Sequence, residues 1–581
     1  MLKAMPANDV RPKSCYLLAV CLVLTTALLW LPCSPACSAA LPSSQASSGS
    51  QEDASTLQQL LKQANELLRQ EKLEEAKTIY KKILAAKPDY AEAHYGLAAV
   101  YTGEQDAPQA VREYRTALKL KPSLPGVHMN LGALYESQGQ LTEAIDEYRA
   151  EVRLQASSAR AHTALGNALV AARQFAQAGQ EYNRALALAP RDADVRIALA
   201  SSMQQAGELS KAVEEFHNAI KLDPGNADAH AGLASALTQG GDIDAGLAEY
   251  RAASRLRPAD PDLHWSLANA LRATNDLIHA IQEYRQAVEL RPDQTDYRVG
   301  LALALREAGD YAGAIQEFRR IIHRHPDILM AHTELARTYL SSGNHPAAIA
   351  EYREALRLKP EDPELHEGLG LVLRKTGDLV QAIPELRQAI ALVPDNPDYH
   401  RNLGESLEAS GDIPGFIAEY SEEVRLRPDD PDAHLHLANA YQGGGHLEYA
   451  VAEYRIALRL RLESPELHYR LAMALKAAGR PQEAEPELEQ AVKLRSDYPE
   501  ALVALADLLA GRKNYELAIP TYRDVLRLHP GDASLRERLA AVLRESGDLD
   551  GALAEQREAL RSSSDNSEFQ RQLGDTLAQR R

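Results

Sequence analysis

The sequence predicts an all-α solenoid in which one helix–turn–helix unit of 34 residues is repeated about fifteen times. The first observation is a proline that returns in phase, with other residues at only a few of its places. The second is an aromatic set of 24 Tyr, 5 Phe and 2 Trp, which indicates one aromatic residue reused at one structural position. A fixed period in this range is typical of stacked supersecondary units, which need no large single core. The in-phase prolines are Pro88, Pro122, Pro190, Pro224, Pro258, Pro292, Pro326, Pro360, Pro394, Pro428 and Pro530.

Within each unit, the first helix is predicted from an apolar stripe. With the proline set at position 32, the fifteen units run from Leu57 to Asn566. Positions 4, 7, 8 and 11 have the spacing of one helix face. Position 7 is Leu in every unit but the first, and position 8 is always Ala or Gly. A side chain that small at position 8 allows a second helix to approach closely.

A tight turn and a second helix follow in each unit. Position 15 is Gly in ten units, which predicts a left-handed residue at the end of the first helix. Asp often follows at position 16, where its side chain can cap the second helix. Position 20 is Ala in thirteen units, and position 24 is Tyr or Phe in twelve. Segments such as Asp260-Pro261-Asp262 then begin the next unit with a capping side chain, a proline and a carboxylate near the positive helix end.

These positions resemble the consensus of the tetratricopeptide repeats, which has Leu-Gly, then Ala-x3-Phe, then a closing Pro. The resemblance covers residues 57–566, and residues 567–581 are expected to supply a polar capping helix. It implies a right-handed superhelical α-solenoid whose first helices line a concave groove for extended peptides or partner helices. In the second unit the matching residues are His94, Leu97, Ala98, Tyr101, Ala110, Tyr114 and Pro122.

Residues 1–40 are predicted to be an export signal. Three basic residues precede an apolar run over residues 15–31, and small residues follow at 38–40. This order of basic, apolar and small residues is that of a secretory signal peptide. An uncleaved membrane anchor and a lipid on Cys37 remain as alternatives. Residues 41–56, which are rich in Ser, are predicted to be a low-complexity linker.

Charge, cysteine placement and motifs exclude several functions. The net charge of −18 argues against an extended nucleic-acid-binding face, which needs surplus Lys and Arg. All four Cys lie within the first 37 residues, so the repeats have no thiolate for a metal site or a nucleophile. The motifs of serine hydrolases, zinc proteases and phosphate-binding loops do not occur. We therefore expect no enzymatic activity, no catalytic residues and no cofactor.

Position 4 is His in ten units, where the resembling family usually has an aromatic residue. Helices pack ~8–10 Å apart, so equivalent His of successive repeats cannot share a zinc ion bound at ~2.1 Å by each nitrogen. We expect no metal site, and instead half-buried His that hydrogen-bond at the first helix. Several such residues charging together would make stability depend on pH. They are His94, His128, His162, His230, His264, His332, His366, His400, His434 and His468.

The candidate binding residues lie on the first helices, at positions that point away from the apolar stripe. A basic cluster in the seventh to eleventh units consists of Arg272, Arg306, Arg337, Arg374, Lys375 and Arg401. Side-chain amides able to hold a peptide backbone are Asn130, Asn167, Asn269, Asn402 and Asn439. Trp265 adds an aromatic anchor beside them. The alternative is that these arginines only pair with Asp and Glu of adjacent helices.

We therefore expect a non-enzymatic protein–protein interaction scaffold, exported to the periplasm or the cell exterior. It would bind an extended or acidic protein segment, and no nucleic acid. The alternative is a membrane-tethered envelope assembly factor for polysaccharide export or outer-membrane biogenesis. The Lys and Asn pattern by which chaperone-binding relatives clamp a carboxylate is absent, and no motif identifies the partner.

Overall fold

The computed structural model describes residues 49–562 and 566–580, and within these ranges every regular element is an α-helix. The predicted signal or anchor over residues 1–40 lies outside them. We number the helices α1–α31 in chain order, so each repeat has an odd-numbered first helix and an even-numbered second helix. In this described part of the chain, no helix is both long enough and apolar enough to span a membrane.

The helix bounds follow the predicted period. The first helices are α1 (Gly49–Arg69), α3 (Ala91–Gly103), α5 (Val127–Ser137), α7 (Ala159–Ala171), α9 (Ala193–Gln205), α11 (Ala227–Gln239), α13 (Pro261–Ala273), α15 (Thr295–Glu307), α17 (Leu329–Ser341), α19 (Pro363–Lys375), α21 (Pro397–Ser410), α23 (Pro431–Gly443), α25 (Pro465–Ala477), α27 (Pro499–Gly511) and α29 (Ala533–Ser546). The second helices are α2 (Leu73–Ala86), α4 (Ala107–Leu120), α6 (Leu141–Leu154), α8 (Phe175–Leu188), α10 (Leu209–Leu222), α12 (Ile243–Leu256), α14 (Leu277–Leu290), α16 (Tyr311–Arg324), α18 (His345–Leu358), α20 (Leu379–Leu392), α22 (Ile413–Leu426), α24 (Leu447–Leu460), α26 (Pro481–Leu494), α28 (Tyr515–Leu528) and α30 (Leu549–Ser562). The last helix, α31, spans Ser567–Arg580.

The chain divides into two compact units, residues 1–304 and 305–581, and the division falls within α15. In each unit, the two helices of a repeat pack on one another, as α11 does with α12 and α23 does with α24. First helices of successive repeats also touch directly, as α7 does with α9 and α19 does with α21. This packing confirms the predicted all-α solenoid of helix–turn–helix repeats.

The first helix begins earlier than the sequence predicts. Residues 41–56 are predicted to be a linker, whereas α1 already starts at Gly49 and so takes in residues 49–56. These eight residues contain no proline, and extending an existing helix is far easier than starting one. The helix that packs at residues 57–69 therefore extends to Gly49, and residues 41–48 of the predicted linker lie outside the described residues.

The aromatic residue at position 24 is buried between first helices. Tyr182 in α8 is 2% exposed and faces Gly166 of its own repeat, where an added Cβ would lie 2.6 Å from Tyr182 Cε1. Tyr284 in α14 faces Gly300 of the next repeat, where an added Cβ would lie 2.4 Å from Tyr284 Cε1. These two rings therefore need glycine on the first helix that they contact, and Tyr284 packs its own repeat against the one that follows.

The turn between the two helices has the predicted left-handed residue at position 15. The ten glycines at this position have φ between 73° and 92°. The other five repeats adopt the same conformation with a side chain present, in Glu71, Gln105, Arg173, Asn275 and Lys513. Such a φ is unfavourable for any residue with a Cβ, so these five turns are strained relative to the glycine turns.

The predicted helix caps are also present. Asp242 accepts a hydrogen bond from the backbone N–H of Ala245 at 3.2 Å, at the start of α12. Asp260 accepts one from Asp262 at 3.0 Å, with Pro261 in the first turn of α13. These bonds satisfy N–H groups that a helix leaves unpaired at its start.

Exchanging the position-15 residues of two neighbouring turns tests the backbone strain of the turns that have no glycine. Lys513→Gly is expected to stabilise the protein by about 0.5–1 kcal/mol, because glycine adopts positive φ without a steric penalty. Gly479→Lys is the matched control and is expected to destabilise it by about 1 kcal/mol. An added Cβ at Gly479 meets no atom within 4 Å, so its effect is one of backbone conformation. Urea unfolding followed by circular dichroism measures both variants, and equal midpoints for the two would contradict the assignment.

Candidate protein-binding face

The first helices carry polar side chains interspersed with apolar ones on the side away from the second helices, which we call the inner face and define by positions 5, 6, 9, 12 and 13 of the repeat. Side chains on it join neighbouring repeats directly. Asn130 Nδ2 donates to Tyr95 Oη at 2.9 Å, and Gln204 Nε2 donates to Ser235 Oγ at 2.8 Å. The apolar stripe of each first helix faces the second helices, so this polar set is what the first helices present on their other side.

Three of the predicted asparagines have the same internal partner. Each accepts a hydrogen bond through Oδ1 from the tyrosine at position 24 of its own repeat. The distances from Tyr Oη are 2.7 Å for Asn167, 2.5 Å for Asn269 and 2.6 Å for Asn439. The bond directs the amide oxygen toward the tyrosine of the second helix, so the two N–H donors of the amide are left for the inner face.

Besides Asn269, two of the predicted residues in the unit of residues 1–304 lie on α13. Trp265 is partly exposed, and its ring lies 6.3 Å from that of Tyr297. Tyr297 Oη donates a hydrogen bond to Asp262, which fixes the tyrosine beside the indole. Arg272, near the end of the same helix, is partly buried. This helix therefore offers an aromatic surface and a guanidinium on one side.

The other basic candidates lie in the unit of residues 305–581, where Arg306 and Arg337 share a single carboxylate. Arg306 Nη1 donates to Glu334 at 2.5 Å, and Arg337 Nη1 donates to the other oxygen of the same carboxylate at 2.7 Å. The Glu334 side chain is 12% exposed and that of Arg337 is 49% exposed. The single Glu334 carboxylate therefore serves two guanidinium groups, and Arg337 remains half-exposed.

Arg374 and Asn402 belong to one hydrogen-bonded network between α19 and α21. Arg374 pairs with Glu405 and donates to the backbone carbonyl of Asn402 at 3.2 Å. Asn402, which is buried, donates through Nδ2 to Glu367 at 2.8 Å. Burial raises the pKa of Glu367, although this hydrogen bond opposes the shift. Asn402 is therefore a connector between repeats, and its amide is not directed at a ligand.

Arg401 and Lys375 complete the basic cluster. Arg401 pairs with Asp398 at 2.8 Å, and Asp398 also accepts from Arg427 at 2.7 Å. Burial opposes ionisation of Asp398, but the two guanidinium groups outweigh it and hold the pKa of Asp398 below its usual value. Lys375 is exposed at the end of α19. These arginines are thus paired with acidic residues on the same and adjacent helices, as the alternative interpretation expected, and Lys375 stays exposed.

His436 is an inner-face residue that sequence reasoning missed. Its Nδ1 lies 3.1 Å from the buried Glu423 carboxylate, and its ring lies 5.6 Å from that of Tyr420. The hydrogen bond with Glu423 raises the pKa of His436. The feature of the sequence that could have identified it is a histidine at position 6, where most repeats have a small or amide side chain.

The position-4 histidines have glutamate partners that sequence reasoning also missed. In each of ten repeats, His Nδ1 lies 2.5–2.8 Å from the glutamate at position 23, and we call this set the His–Glu ladder. Position 23 is Glu in thirteen of the fifteen repeats, which was the available signal. The pairs are His94–Glu113, His128–Glu147, His162–Glu181, His230–Glu249, His264–Glu283, His332–Glu351, His366–Glu385, His400–Glu419, His434–Glu453 and His468–Glu487. Over residues 49–562 and 566–580, no three His, Cys, Asp or Glu side chains are grouped so that they could hold a metal ion.

Comparison with protein families gives a consistent result along the chain. A tetratricopeptide repeat family model matches residues 61–193, 266–431 and 435–567 in overlapping segments. A second model with the same description matches residues 203–271. None of the curated proteins matches the chain.

Several solved structures have a similar fold. The structure of Naa15/Naa10 bound to HypK-THB is 15% identical, with 90% of this chain and 96% of that chain covered and a TM-score of 0.32. The APC/C hetero-tetramer Cut9-Hcn1 is 15% identical, with 77% and 95% covered and a TM-score of 0.31. A repeat protein from Cytophaga hutchinsonii is 17% identical, with 42% and 99% covered and a TM-score of 0.37. At these values the likeness carries no argument about function.

The tyrosine–asparagine hydrogen bond can be tested in one repeat. Tyr182→Phe keeps the ring, as Phe216 and Phe318 do naturally at this position, but removes the bond to Asn167. We expect a loss of about 1 kcal/mol in the free energy of unfolding. Asn167→Ala removes the same bond, so the double variant is expected to lose less than the sum of the two single variants. Strictly additive losses in urea unfolding would show that the two side chains are not coupled.

Proposed function

Because the chain belongs to the tetratricopeptide repeat family, we propose that it is a non-enzymatic scaffold that binds an extended, acidic protein segment after export. Repeats of this family support protein–protein interaction, and residues 61–193, 203–431 and 435–567 match its models. The observation that carries the choice of an acidic segment is the pairing of Arg306 and Arg337 with the single carboxylate of Glu334. The proposed binding surface is the inner face of α15 to α23 within residues 305–581.

The exposure of cationic side chains on this surface favours an acidic ligand, while its five basic residues are balanced in number by five glutamates. Arg337, Arg401 and Lys375 are each partly or largely exposed, although the chain as a whole carries a net charge of −18. An arriving carboxylate can replace solvent at a guanidinium whose remaining N–H donors are not used by its protein partner. Such charges act mainly on the association rate and on specificity, so binding is expected to weaken with salt.

Side-chain amides provide contacts that do not depend on the ligand's sequence. Asn439 Oδ1 accepts from Tyr454 and, at 3.4 Å, from Arg470, so the amide is fixed from the protein side. Its Nδ2 group can then donate to a backbone carbonyl of an extended segment lying along α23. A surface that binds backbone through amides and side chains through guanidinium groups suits an extended segment better than a folded domain.

Reversing the charge at two inner-face arginines tests the proposal. Arg374→Glu with Arg401→Glu is expected to reduce affinity for a labelled, extended peptide of alternating Glu and Ser by about tenfold or more. The matched control is Arg357→Glu with Arg425→Glu, on the second helices α18 and α22, where each arginine pairs with a glutamate three residues earlier. The control changes the net charge equally. Fluorescence anisotropy measures binding, and circular dichroism checks that both variants fold.

Equal affinities of the two double variants would contradict the inner-face assignment. A larger loss in the control than in the inner-face variant would place binding on the second helices instead. The same titration at high salt separates charge-driven binding from binding through amides, because screening weakens only the first.

Export is supported by the N-terminal sequence, whose basic, apolar and small segments occur in the order of a signal peptide. The same segment supports a second candidate function. If it is retained or carries a lipid on Cys37, the scaffold is held at a membrane and acts as an envelope assembly factor, for polysaccharide export or outer-membrane biogenesis. A short apolar run of 17 residues over 15–31 is near the lower limit for a spanning helix, which favours cleavage.

Intact-mass measurement of the protein from its source cell distinguishes the two candidates. A chain that begins near Ala40 or Leu41 is expected for the exported scaffold. A mass that includes residues 1–40, or a lipid-modified Cys37, would overturn the soluble form and support the tethered one. Fractionation of the same sample into membrane and soluble material provides an independent control.

A further inference from the structure

The His–Glu ladder places each imidazole between two hydrogen-bond acceptors. On one side, Nδ1 lies 2.5–2.8 Å from the position-23 glutamate in ten repeats. On the other side, in eight of these repeats, Nε2 lies 2.9–3.2 Å from the backbone carbonyl oxygen at the end of the preceding repeat. The side chains of these histidines are 6–14% exposed.

Only a pair that holds an extra proton satisfies both contacts. A backbone carbonyl and an ionised carboxylate can only accept, whereas a neutral imidazole has one N–H donor and one lone pair. The neutral ring therefore leaves one acceptor facing a lone pair. The protonated ring donates to both oxygens. A neutral ring beside a protonated glutamate also satisfies both contacts, because Nε2–H donates to the carbonyl while Nδ1 accepts the O–H of the glutamic acid. Either way the pair holds one proton more than a neutral histidine beside an ionised glutamate.

Arginine occupies the same place in other repeats and makes the same two contacts. Arg196 donates to Glu215 at 2.7 Å and to the carbonyl of Pro190 at 3.4 Å. Arg536 donates to Glu555 at 2.7 Å and to the carbonyl of Pro530 at 2.9 Å. Arginine carries its charge at every relevant pH. The position therefore accepts a permanent cation with at least two donors, which is the form that histidine has only when protonated.

We propose that the His–Glu ladder stabilises the solenoid in a pH-dependent way. When the ladder histidines take up protons, their hydrogen bonds hold the first helix to the second helix of the same repeat and to the end of the preceding repeat. Each protonated histidine joins three segments of chain, since Glu lies on the second helix and the carbonyl on the preceding turn. Loss of the proton breaks one of the two contacts in each of the eight repeats whose histidine makes both. Because the same pair recurs along the chain, a small effect per repeat adds up over the array.

The surroundings of His400 show the direction of the effect. Its hydrogen bond with Glu419 raises the pKa of His400, burial opposes the shift, and the carbonyl of Pro394 and the nearby Glu422 add to it. The charged groups facing the ring are thus both carboxylates on α22. A raised folded-state pKa gives stability that is fully present below the unfolded value of about 6.5 and is lost as pH rises through the folded value.

Replacing four successive ladder histidines by arginine tests the proposal in the full chain. The variant carries His332→Arg, His366→Arg, His400→Arg and His434→Arg, which face Glu351, Glu385, Glu419 and Glu453. For the wild type, the urea midpoint of unfolding is expected to fall as pH rises from about 6 to about 9. The arginine variant is expected to lose much of this dependence and to exceed the wild type at the alkaline end. His217→Arg with His323→Arg, at two exposed positions, is the control and is expected to follow the wild type.

A wild-type midpoint that stays level or rises between these pH values would overturn the proposal, and so would an arginine variant with undiminished pH dependence. A second measurement needs no variant. Hydrogen–deuterium exchange at Cε1, the carbon between the two ring nitrogens, reports the protonation of His400 in the folded protein when it is measured by mass spectrometry at a series of pH values. His400 is expected to hold its proton to a higher pH than the exposed His323. The reverse order would overturn the proposal even if every variant failed to fold.

Discussion

The structure depends on the burial of the position-24 side chain between two neighbouring first helices, and in twelve of the fifteen repeats that side chain is an aromatic ring. Tyr182 and Tyr284 show the two sides of this constraint, because one faces a glycine of its own repeat and the other a glycine of the next. A Cβ added at either of these two glycines would meet the ring at less than 3 Å, so glycine is a packing requirement at these two contacts. Position 8 is Ala or Gly in every repeat, whereas position 6 accepts larger residues elsewhere, such as Asn402 and His436. The consequence is that each repeat completes its core only with its neighbour, which is how a chain of 581 residues folds without one large core.

The same geometry leaves the polar side of each first helix available for other interactions. Since the second helices cover the apolar stripe, the inner face carries asparagines, arginines and glutamates among its apolar residues. Several of them bridge successive repeats, as Arg306 does with Glu334 and Asn402 does with Glu367. These contacts fix the orientation of the side chains. A fixed array of amides and guanidinium groups loses little entropy on binding, which favours recognition of an extended chain.

Much of the fold was predictable because the period repeats the same physical problem fifteen times. Gly at position 15 predicted the left-handed turn, and the structure shows that Lys513 and four other residues adopt it as well. The helix α1 starts at Gly49 because an existing helix extends easily through residues that include no proline. The Ser-rich composition of this segment predicted a linker instead.

The candidate face was harder to predict. Periodicity shows which side of a helix a residue occupies, but not which side chain of the neighbouring repeat it meets. Asn402 looked like a ligand-binding amide, yet it is buried on Glu367. The partner of His400 was present in the sequence as a recurrent glutamate, 19 residues later. It could not be assigned without the register of two antiparallel helices. The helices themselves could thus be predicted from the sequence, whereas the side-chain contacts between helices could not.

Site-specific photo-crosslinking most directly tests whether the inner face binds an acidic segment. A photoreactive amino acid at Lys375, which is exposed at the end of α19, is compared with one at Arg357 in the last turn of α18. Each protein is irradiated with the acidic peptide, and the products are mapped by mass spectrometry. Binding on the inner face predicts a crosslink from position 375 that excess unlabelled peptide abolishes, and little from position 357. Crosslinks of equal yield from both positions, or from position 357 alone, would contradict it.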